Sequence, residues 1–144
     1  MVSILGNYIN RVLVLTDKFY DRIVPSCNSK NKNIIKEIDS LKKSIDKSIK
    51  NFKFREAMGF VIDIARLGNK YLTDNEPWKK FNDDPENVSE VMFNSIQIVS
   101  KIGILCEPFL PHTSEKIFNL LKIKHIDWKS FSSNIVSSGH EISG

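Results

Sequence analysis

The chain has 144 residues, of which 41% are hydrophobic and 26% charged, and this balance suits one soluble domain with a core of its own. No apolar run approaches the roughly 20 residues that a membrane span requires, and the N-terminus lacks the charged and apolar regions of a signal peptide. The net charge of +4 is compatible with an anionic partner but does not require one.

Cysteine and histidine are too sparse for a metal site or a disulfide framework. Cys27 and Cys106 lie far apart, and with His112, His125 and His140 they form no spacing that is typical of metal ligands. We therefore expect no metal, and a reducing, cytoplasmic environment.

Two amphipathic helices open the chain. From residue 5 to residue 20 the apolar residues recur at the helical period, as Leu5, Ile9, Val12 and Phe19. Pro25 and the polar run SCNSKNKN at 26–33 form a connector. A second stripe follows at three- and four-residue spacing, and its members are Ile34, Ile38, Leu41, Ile45, Ile49 and Phe52. This pattern predicts a helix that lies on the surface of a bundle.

Three further helices are predicted. A third stripe ends in the 74–77 region and consists of Ala57, Val61, Ile64, Gly68 and Tyr71. Asp84, Pro85 and Glu86 then supply an N-cap, a proline at the first helical position and an acid in the first turn. The helix that they open is apolar nearly all round, so we predict that it is the buried central one. Pro108 ends it, and Pro111 opens a fifth helix that runs to about Leu121.

These patterns predict an all-α bundle of about five helices. The chain has no internal repeat and no alternating strand pattern. We assign residues 1–122 to the bundle and residues 123–144 to an irregular C-terminal tail. The tail is expected to dock on the bundle through Ile126, Trp128 and Phe131.

No catalytic constellation is visible. Neither GxxxxGK[ST] nor GxGxxG occurs, and the acidic residues are scattered along amphipathic faces. His112 follows Leu-Pro and precedes Thr-Ser, so we interpret it as a residue at a helix start rather than as a general base. We expect no catalytic residue in this chain.

The polar face of the first helix brings together side chains that suit nucleic acid. At about 100° per residue, Asn7, Arg11 and Lys18 fall within roughly 40° of one another, opposite the apolar stripe. Asparagine offers a donor and an acceptor, and arginine a planar fork of donors that matches base edges and phosphates. The alternative is that this face is merely solvated.

The segment NEPWKK at 75–80 holds a tryptophan behind a proline. Because proline cannot continue a helix, we expect Trp78 at or just past a helix end, in solvent. An exposed indole offers a stacking surface for an unpaired base, worth about 1–3 kcal/mol. Readers of single-stranded RNA combine such a platform with polar and cationic side chains. The alternative is that Trp78 forms a lid on the bundle.

Three segments carry a family resemblance: LGNYINRVLVLTDKFYDRIVP (5–25), ARLGNKYLTDNEPWK (65–79) and ILCEPFLPHTSEKIFNLL (104–121). Together, and in this order, they resemble the anticodon-binding domain of methionyl-tRNA synthetase, a class I aminoacyl-tRNA synthetase. The resemblance covers nearly the whole chain, and residues 26–53 match only in character. It implies that Asn7 and Arg11 read the anticodon and that Trp78 stacks on one of its bases.

The same segments contain five secondary candidates. Asn10, Asn69 and Lys70 would either contact RNA or hold the site in shape, since an asparagine can equally bridge two helices. Pro77 would restrict the backbone before the tryptophan, and Lys79, like Lys80, would neighbour a phosphate. For the two lysines a simple charged loop is the alternative.

The resemblance also implies what lies outside this chain. The family's full-length enzyme joins methionine to its tRNA with ATP, in a catalytic domain that precedes the bundle and carries HIGH-like and KMSKS-like signatures. This chain lacks both, and it stops at SGHEISG, where the family's chain continues. We therefore expect a truncated, non-catalytic fragment without a cofactor of its own. Its expected partners are the anticodon loop of tRNA(Met) and the catalytic domain of its parent chain, with no membrane.

Two alternatives remain open at this point. One is a helical protein–protein interaction module in which Trp78 is an interface hot spot. The other is the anticodon-binding domain of another class I synthetase.

Overall fold

The computed structural model describes residues 2–25, 33–123 and 140–142. The helices in these ranges are α1 (Val2–Tyr20), α2 (Asn33–Lys50), α3 (Phe54–Asn75), α4 (Pro77–Lys80), α5 (Pro85–Cys106) and α6 (Pro111–Leu121). The predicted all-α bundle is confirmed, and α1, α2, α3, α5 and α6 are the helices that the apolar periods indicated. The single turn α4 was not predicted, because four residues are too few to display a period.

Helix α5 is the centre of the bundle. Every residue from Val91 to Cys106 is buried, and the helix contacts α1, α2, α3, α4 and α6. Although α5 contains no uninterrupted apolar run of about 20 residues, it is on average apolar enough, and long enough, to cross a membrane by length and composition. Of the relevant window, 89% is buried within the protein, as in a core helix. The predicted cap is confirmed, since the Asp84 side chain accepts a hydrogen bond from the Asn87 backbone N–H at 3.3 Å.

Polar side chains on α5 have partners on neighbouring helices. Asn94 Nδ2 donates to the Tyr71 hydroxyl at 3.1 Å. The Lys101 side chain is only 2% exposed, and its ammonium nitrogen lies 3.4 Å from an Asp39 carboxylate oxygen. Burial lowers the pKa of Lys101, and the nearby Asp39 carboxylate opposes that shift. These bonds satisfy groups whose burial would otherwise destabilise the fold.

Tyr8 links α1 to both α3 and α5. Its ring is fully buried and its hydroxyl donates to the Ser95 backbone oxygen at 3.4 Å. A Cβ atom at Gly68 would lie 2.6 Å from that hydroxyl, so the two helices approach at a point that leaves no room for a side chain on α3. Burial raises the pKa of the Tyr8 hydroxyl far above its ordinary value.

Two phenylalanines depart from the predicted stripes. Helix α2 ends at Lys50, and Phe52 has φ 59° and is 81% exposed, so its predicted place on the apolar stripe of α2 is wrong. The period extends only as far as the backbone remains helical, and the left-handed conformation of Phe52 takes its own side chain off the stripe. Phe19 is half-buried and stacks on Phe81, with ring centroids 4.9 Å apart, instead of entering the centre of the core.

Residues 140–142 pair with residues 22–24, which follow α1. The Val24 N–H donates to the His140 backbone oxygen at 2.8 Å, and the Ile142 N–H donates to the Arg22 backbone oxygen at 2.7 Å. The Ile142 side chain is fully buried. The proposed docking residues Ile126, Trp128 and Phe131 lie outside the described residues.

Candidate nucleic-acid interface

The joint between α3 and α4 sets the position of Trp78. Glu76 adopts a left-handed conformation with φ 43°, and its N–H donates to the Leu72 backbone oxygen at 2.9 Å. Pro77 is buried as the first residue of α4, where its fixed φ suits a helix start. An ion pair of 3.1 Å between Lys79 and Glu76 closes the turn. The backbone that carries the indole is therefore fixed on both sides.

Trp78 is half-buried, so it is less exposed than the sequence suggested. The Arg11 guanidinium carbon lies 4.9 Å from its ring centroid, in a cation–π arrangement. Arg11 Nη1 also donates to the Thr73 hydroxyl at 3.4 Å. The structure thus brings together two predicted site residues that are far apart in the sequence, and it places the arginine between α3 and α4.

The Arg11 guanidinium retains donors for a ligand. The group carries five N–H donors in one plane, and the bond to Thr73 engages one of them. Asn7 is exposed one turn earlier on the same side of α1. The arrangement therefore offers a partly exposed ring, a cation above it and an amide one helical turn from that cation.

The secondary candidates fall into two groups. Asn69 and Lys70 precede Thr73 by four and three residues, so they lie on the same side of α3 about one turn away. Asn10 instead lines a groove of about 450 Å³ between α1 and α6, together with Leu13 and Lys116. The structure does not bring Asn10 to the Arg11–Trp78 pair.

Thr73 is a candidate site residue that sequence reasoning missed. Its hydroxyl fixes one end of the arginine fork, yet a threonine near a helix end has no distinctive pattern. The only available signal was its place five residues before Trp78, within the segment that carries the resemblance.

No group of three or more metal-ligating side chains occurs among the residues that the structure describes. The Cys106 thiol is fully buried, and burial raises its pKa to about 12, so it stays protonated at neutral pH. Cys27 lies outside the described residues. His112 is exposed at the second position of α6, in agreement with its interpretation as a residue at a helix start.

Residues 24–143 match the family model of the anticodon binding domain of methionyl tRNA ligase. The chain belongs to this family. The match includes Trp78 but begins after α1, so it does not cover Asn7 and Arg11. The resemblance predicted from the three segments is confirmed.

Comparison with curated relatives extends the similarity across α1. The methionine–tRNA ligase of Flavobacterium psychrophilum is 42% identical over 148 aligned residues, which cover 99% of this chain and 22% of the relative. That of Cytophaga hutchinsonii is 41% identical, with 90% of this chain and 19% of the relative covered. The chain therefore spans about a fifth of the length of these relatives.

A solved structure shows the same fold. The Mycobacterium tuberculosis methionyl-tRNA synthetase in complex with methionyl-adenylate superposes with a TM-score of 0.87 at 18% sequence identity. The superposition covers all of this chain and 30% of that chain.

Proposed function

We propose that the chain recognises the anticodon loop of tRNA(Met) and so selects the tRNA for a methionine–tRNA ligase. The observation that carries this proposal is the Arg11 guanidinium above the Trp78 ring, in a chain that belongs to the anticodon-binding family.

Each side chain has a role in this proposal. The exposed part of the Trp78 ring stacks on an unpaired base of the loop. Arg11, oriented by the ring and by Thr73, donates to a base edge, and Asn7 supplies a donor and an acceptor beside it. The exposed ammonium groups of Lys70, Lys79 and Lys80 attract phosphates.

The chemistry of the ligase belongs to the remainder of a longer protein. The relatives are about five times as long as this chain, and we propose that ATP and methionine react in a catalytic domain of the parent enzyme, in the cytoplasm. The 144-residue chain alone is expected to form neither aminoacyl-adenylate nor charged tRNA when it is given methionine, ATP and tRNA. Adenylate above the level of a buffer control would contradict this expectation.

Titration with anticodon stem-loops tests the proposal directly. The chain should bind a hairpin with the methionine anticodon more tightly than hairpins that differ only in the three anticodon bases. The affinity should also fall as salt rises, because neutralised phosphates release counterions. Equal affinity for all hairpins would show that the chain does not recognise the anticodon bases. Tight binding of a protein partner with little dependence on salt, and no RNA binding, would favour the interaction module.

A further inference from the structure

The corner between α2 and α3 exposes two aromatic rings. Phe52 is 81% exposed and Phe54 is 49% exposed, and both are among the large hydrophobic residues that face solvent. Their rings meet edge to face, with centroids 6.4 Å apart and planes at 75°. The two rings therefore form a joint apolar platform outside the core.

The folding of the described bundle does not account for Phe52. The Lys53 N–H donates to the Ser48 backbone oxygen at 2.8 Å, and the Phe52 N–H donates to the Ile49 backbone oxygen at 3.0 Å. These bonds form the helix-ending motif in which glycine is the favoured left-handed residue. Phe52 occupies that position with φ 59°, which is unfavourable for a bulky side chain. Phe52 is therefore unfavourable in two ways: its backbone is left-handed, and its apolar ring is exposed to solvent.

Cations flank this platform in the sequence. Lys47, Lys50, Lys53 and Arg55 are all exposed, against a single acid, Glu56, in residues 47–56. No ion pair joins these four cations to another residue that the structure describes. A depression of about 270 Å³ lies beside them and is lined by Lys47, Lys53 and Glu56 together with Ser44, Ser48, Asn51 and Phe60.

We propose that this corner is a second RNA-binding site, which contacts the bound tRNA outside its anticodon loop. An unpaired base stacks on Phe52, and the flanking phosphates lie against Lys50, Lys53 and Arg55. The inference rests on the proposed function. Stacking rings interleaved with cations are what a single-stranded nucleic acid requires, since every base has a π-face and every linkage a charge. An acidic peptide or an anionic membrane would match the charge, but neither needs a ring as a stacking platform.

The corner is separate from the Arg11–Trp78 pair. Helix α3 has 22 residues, so at 1.5 Å per residue it places Phe54 about 32 Å from Asn75, the last residue of α3 before the joint to α4. A ligand that occupies both sites must therefore extend along the length of α3. A whole tRNA can do so, whereas a short anticodon hairpin centred on Trp78 reaches only one of them.

Phe52→Gly separates a binding role from a structural one. The substitution removes the ring and supplies the residue that the left-handed position favours. We expect the affinity for whole tRNA to fall about five- to a hundred-fold, with unchanged affinity for the anticodon hairpin. The thermal midpoint should stay the same or rise by about 2–4 °C. Val14→Ala, which shortens another exposed apolar residue (53%) on α1, is the matched control and should change neither affinity.

A charge variant tests the phosphate contacts. Lys50→Glu should weaken the binding of whole tRNA and reduce its salt dependence, whereas Lys36→Glu, the same change on an exposed position of the same helix, should not. Vesicles that contain phosphatidylserine serve as the second ligand. Loss of vesicle binding in Phe52→Gly, with tRNA binding intact, would overturn the proposal in favour of a lipid surface.

Three other outcomes also overturn it. If Phe52→Gly binds whole tRNA as the unmodified chain does, the corner is not a site. If Phe52→Gly loses affinity for whole tRNA and for the anticodon hairpin by the same factor, the substitution acts on the anticodon site. If the unmodified chain binds no tRNA at all, the proposed function fails and this inference fails with it.

Discussion

At the residue scale, the contact between Arg11 and Trp78 holds the two side chains of the proposed site together without a ligand. The guanidinium is held by the ring at 4.9 Å and by the Thr73 hydroxyl at 3.4 Å. A long side chain that is already ordered loses less conformational entropy on binding than a free one. The half-burial of Trp78 likewise restricts the motion of its ring. The pair therefore serves the proposed recognition by its fixed geometry as much as by its chemistry.

Substitution of Trp78 tests the stacking role. Trp78→Ala should weaken the binding of the cognate stem-loop by roughly 1–3 kcal/mol, about five- to a hundred-fold, and Trp78→Phe should lose less because a smaller ring still stacks. Because the indole is only half-buried, the loss of stability should stay below the roughly 3–5 kcal/mol that truncation of a core tryptophan costs.

Isothermal titration and thermal melting of the same variants separate the two effects. Phe109→Ala, which truncates another half-buried ring at the turn between α5 and α6, is the control and should lose stability without losing affinity. A Trp78→Ala chain that melts far below the unmodified chain, yet binds normally while folded, would show that Trp78 is a lid.

Arg11→Lys tests the arginine fork. Lysine keeps the charge but has no planar pair of donors, so it loses bidentate contact with a base edge as well as the bond to Thr73. We expect a loss of about 1–3 kcal/mol in the binding of the cognate stem-loop. Arg22→Lys, at an exposed arginine that pairs with Asp17, should bind as the unmodified chain does. Equal affinity for Arg11→Lys would reduce Arg11 to a general cation.

At the element scale, the close approach of α1 and α3 sets the distance from Arg11 on α1 to Thr73 on α3 and to the Trp78 turn. Tyr8 fits into the space that the missing side chain of Gly68 leaves, and further along the same two helices Arg11 reaches Thr73. The buried Tyr8 ring cannot swing away, since α5 holds its hydroxyl through Ser95. A wider spacing here would separate Arg11 from α3 and from the Trp78 turn.

Gly68→Ala should therefore destabilise the domain by about 1–3 kcal/mol, the usual cost of overpacking, and weaken stem-loop binding as well. Gly59→Ala on the same helix is the matched control, because a Cβ there would meet no atom within 4 Å. This control should stabilise the domain by up to about 1 kcal/mol through helix propensity. Urea unfolding of both variants measures the difference, and equal stability would refute the tight contact.

At the scale of the whole molecule, the core keeps two ionisable groups neutral. Burial raises the pKa of Tyr8 above its ordinary value of 10.0, and it raises that of Cys106 from 9.0 to about 12. Both groups stay protonated in the folded chain at a pH where the unfolded chain ionises them. Their contribution to stability is complete below the unfolded pKa and is lost as the pH rises above it.

We therefore expect the free energy of unfolding to fall steeply above pH 10. Tyr8→Phe keeps the ring and removes the ionisable hydroxyl, so its stability should fall less steeply than that of the unmodified chain. The difference should approach about 1.4 kcal/mol per pH unit above 10. Urea unfolding at pH 8, 9, 10 and 11 measures it. Parallel curves for the two chains would mean that the Tyr8 hydroxyl is accessible in the folded state.

The sequence by itself determined where the long helices lie and which family the chain resembles. Apolar periods marked the five long helices, and Asp84 with Pro85 marked the start of α5, because these signals act through neighbouring backbone. The family segments pointed to the anticodon-binding domain and to Arg11 and Trp78. The roles of these residues in RNA binding remain predictions.

Only the tertiary structure decided how the marked residues meet. Arg11 and Trp78 belong to different helices, and the distance between them depends on how α1 packs on α3. That packing also brings Thr73 within hydrogen-bond distance of Arg11. Asn10 instead lies in the groove between α1 and α6, away from the Arg11–Trp78 pair. Phe52 likewise is exposed because it is itself the left-handed residue that follows α2. A local pattern specifies which face of a helix is apolar, but contacts between distant segments arise from packing, which no local pattern encodes.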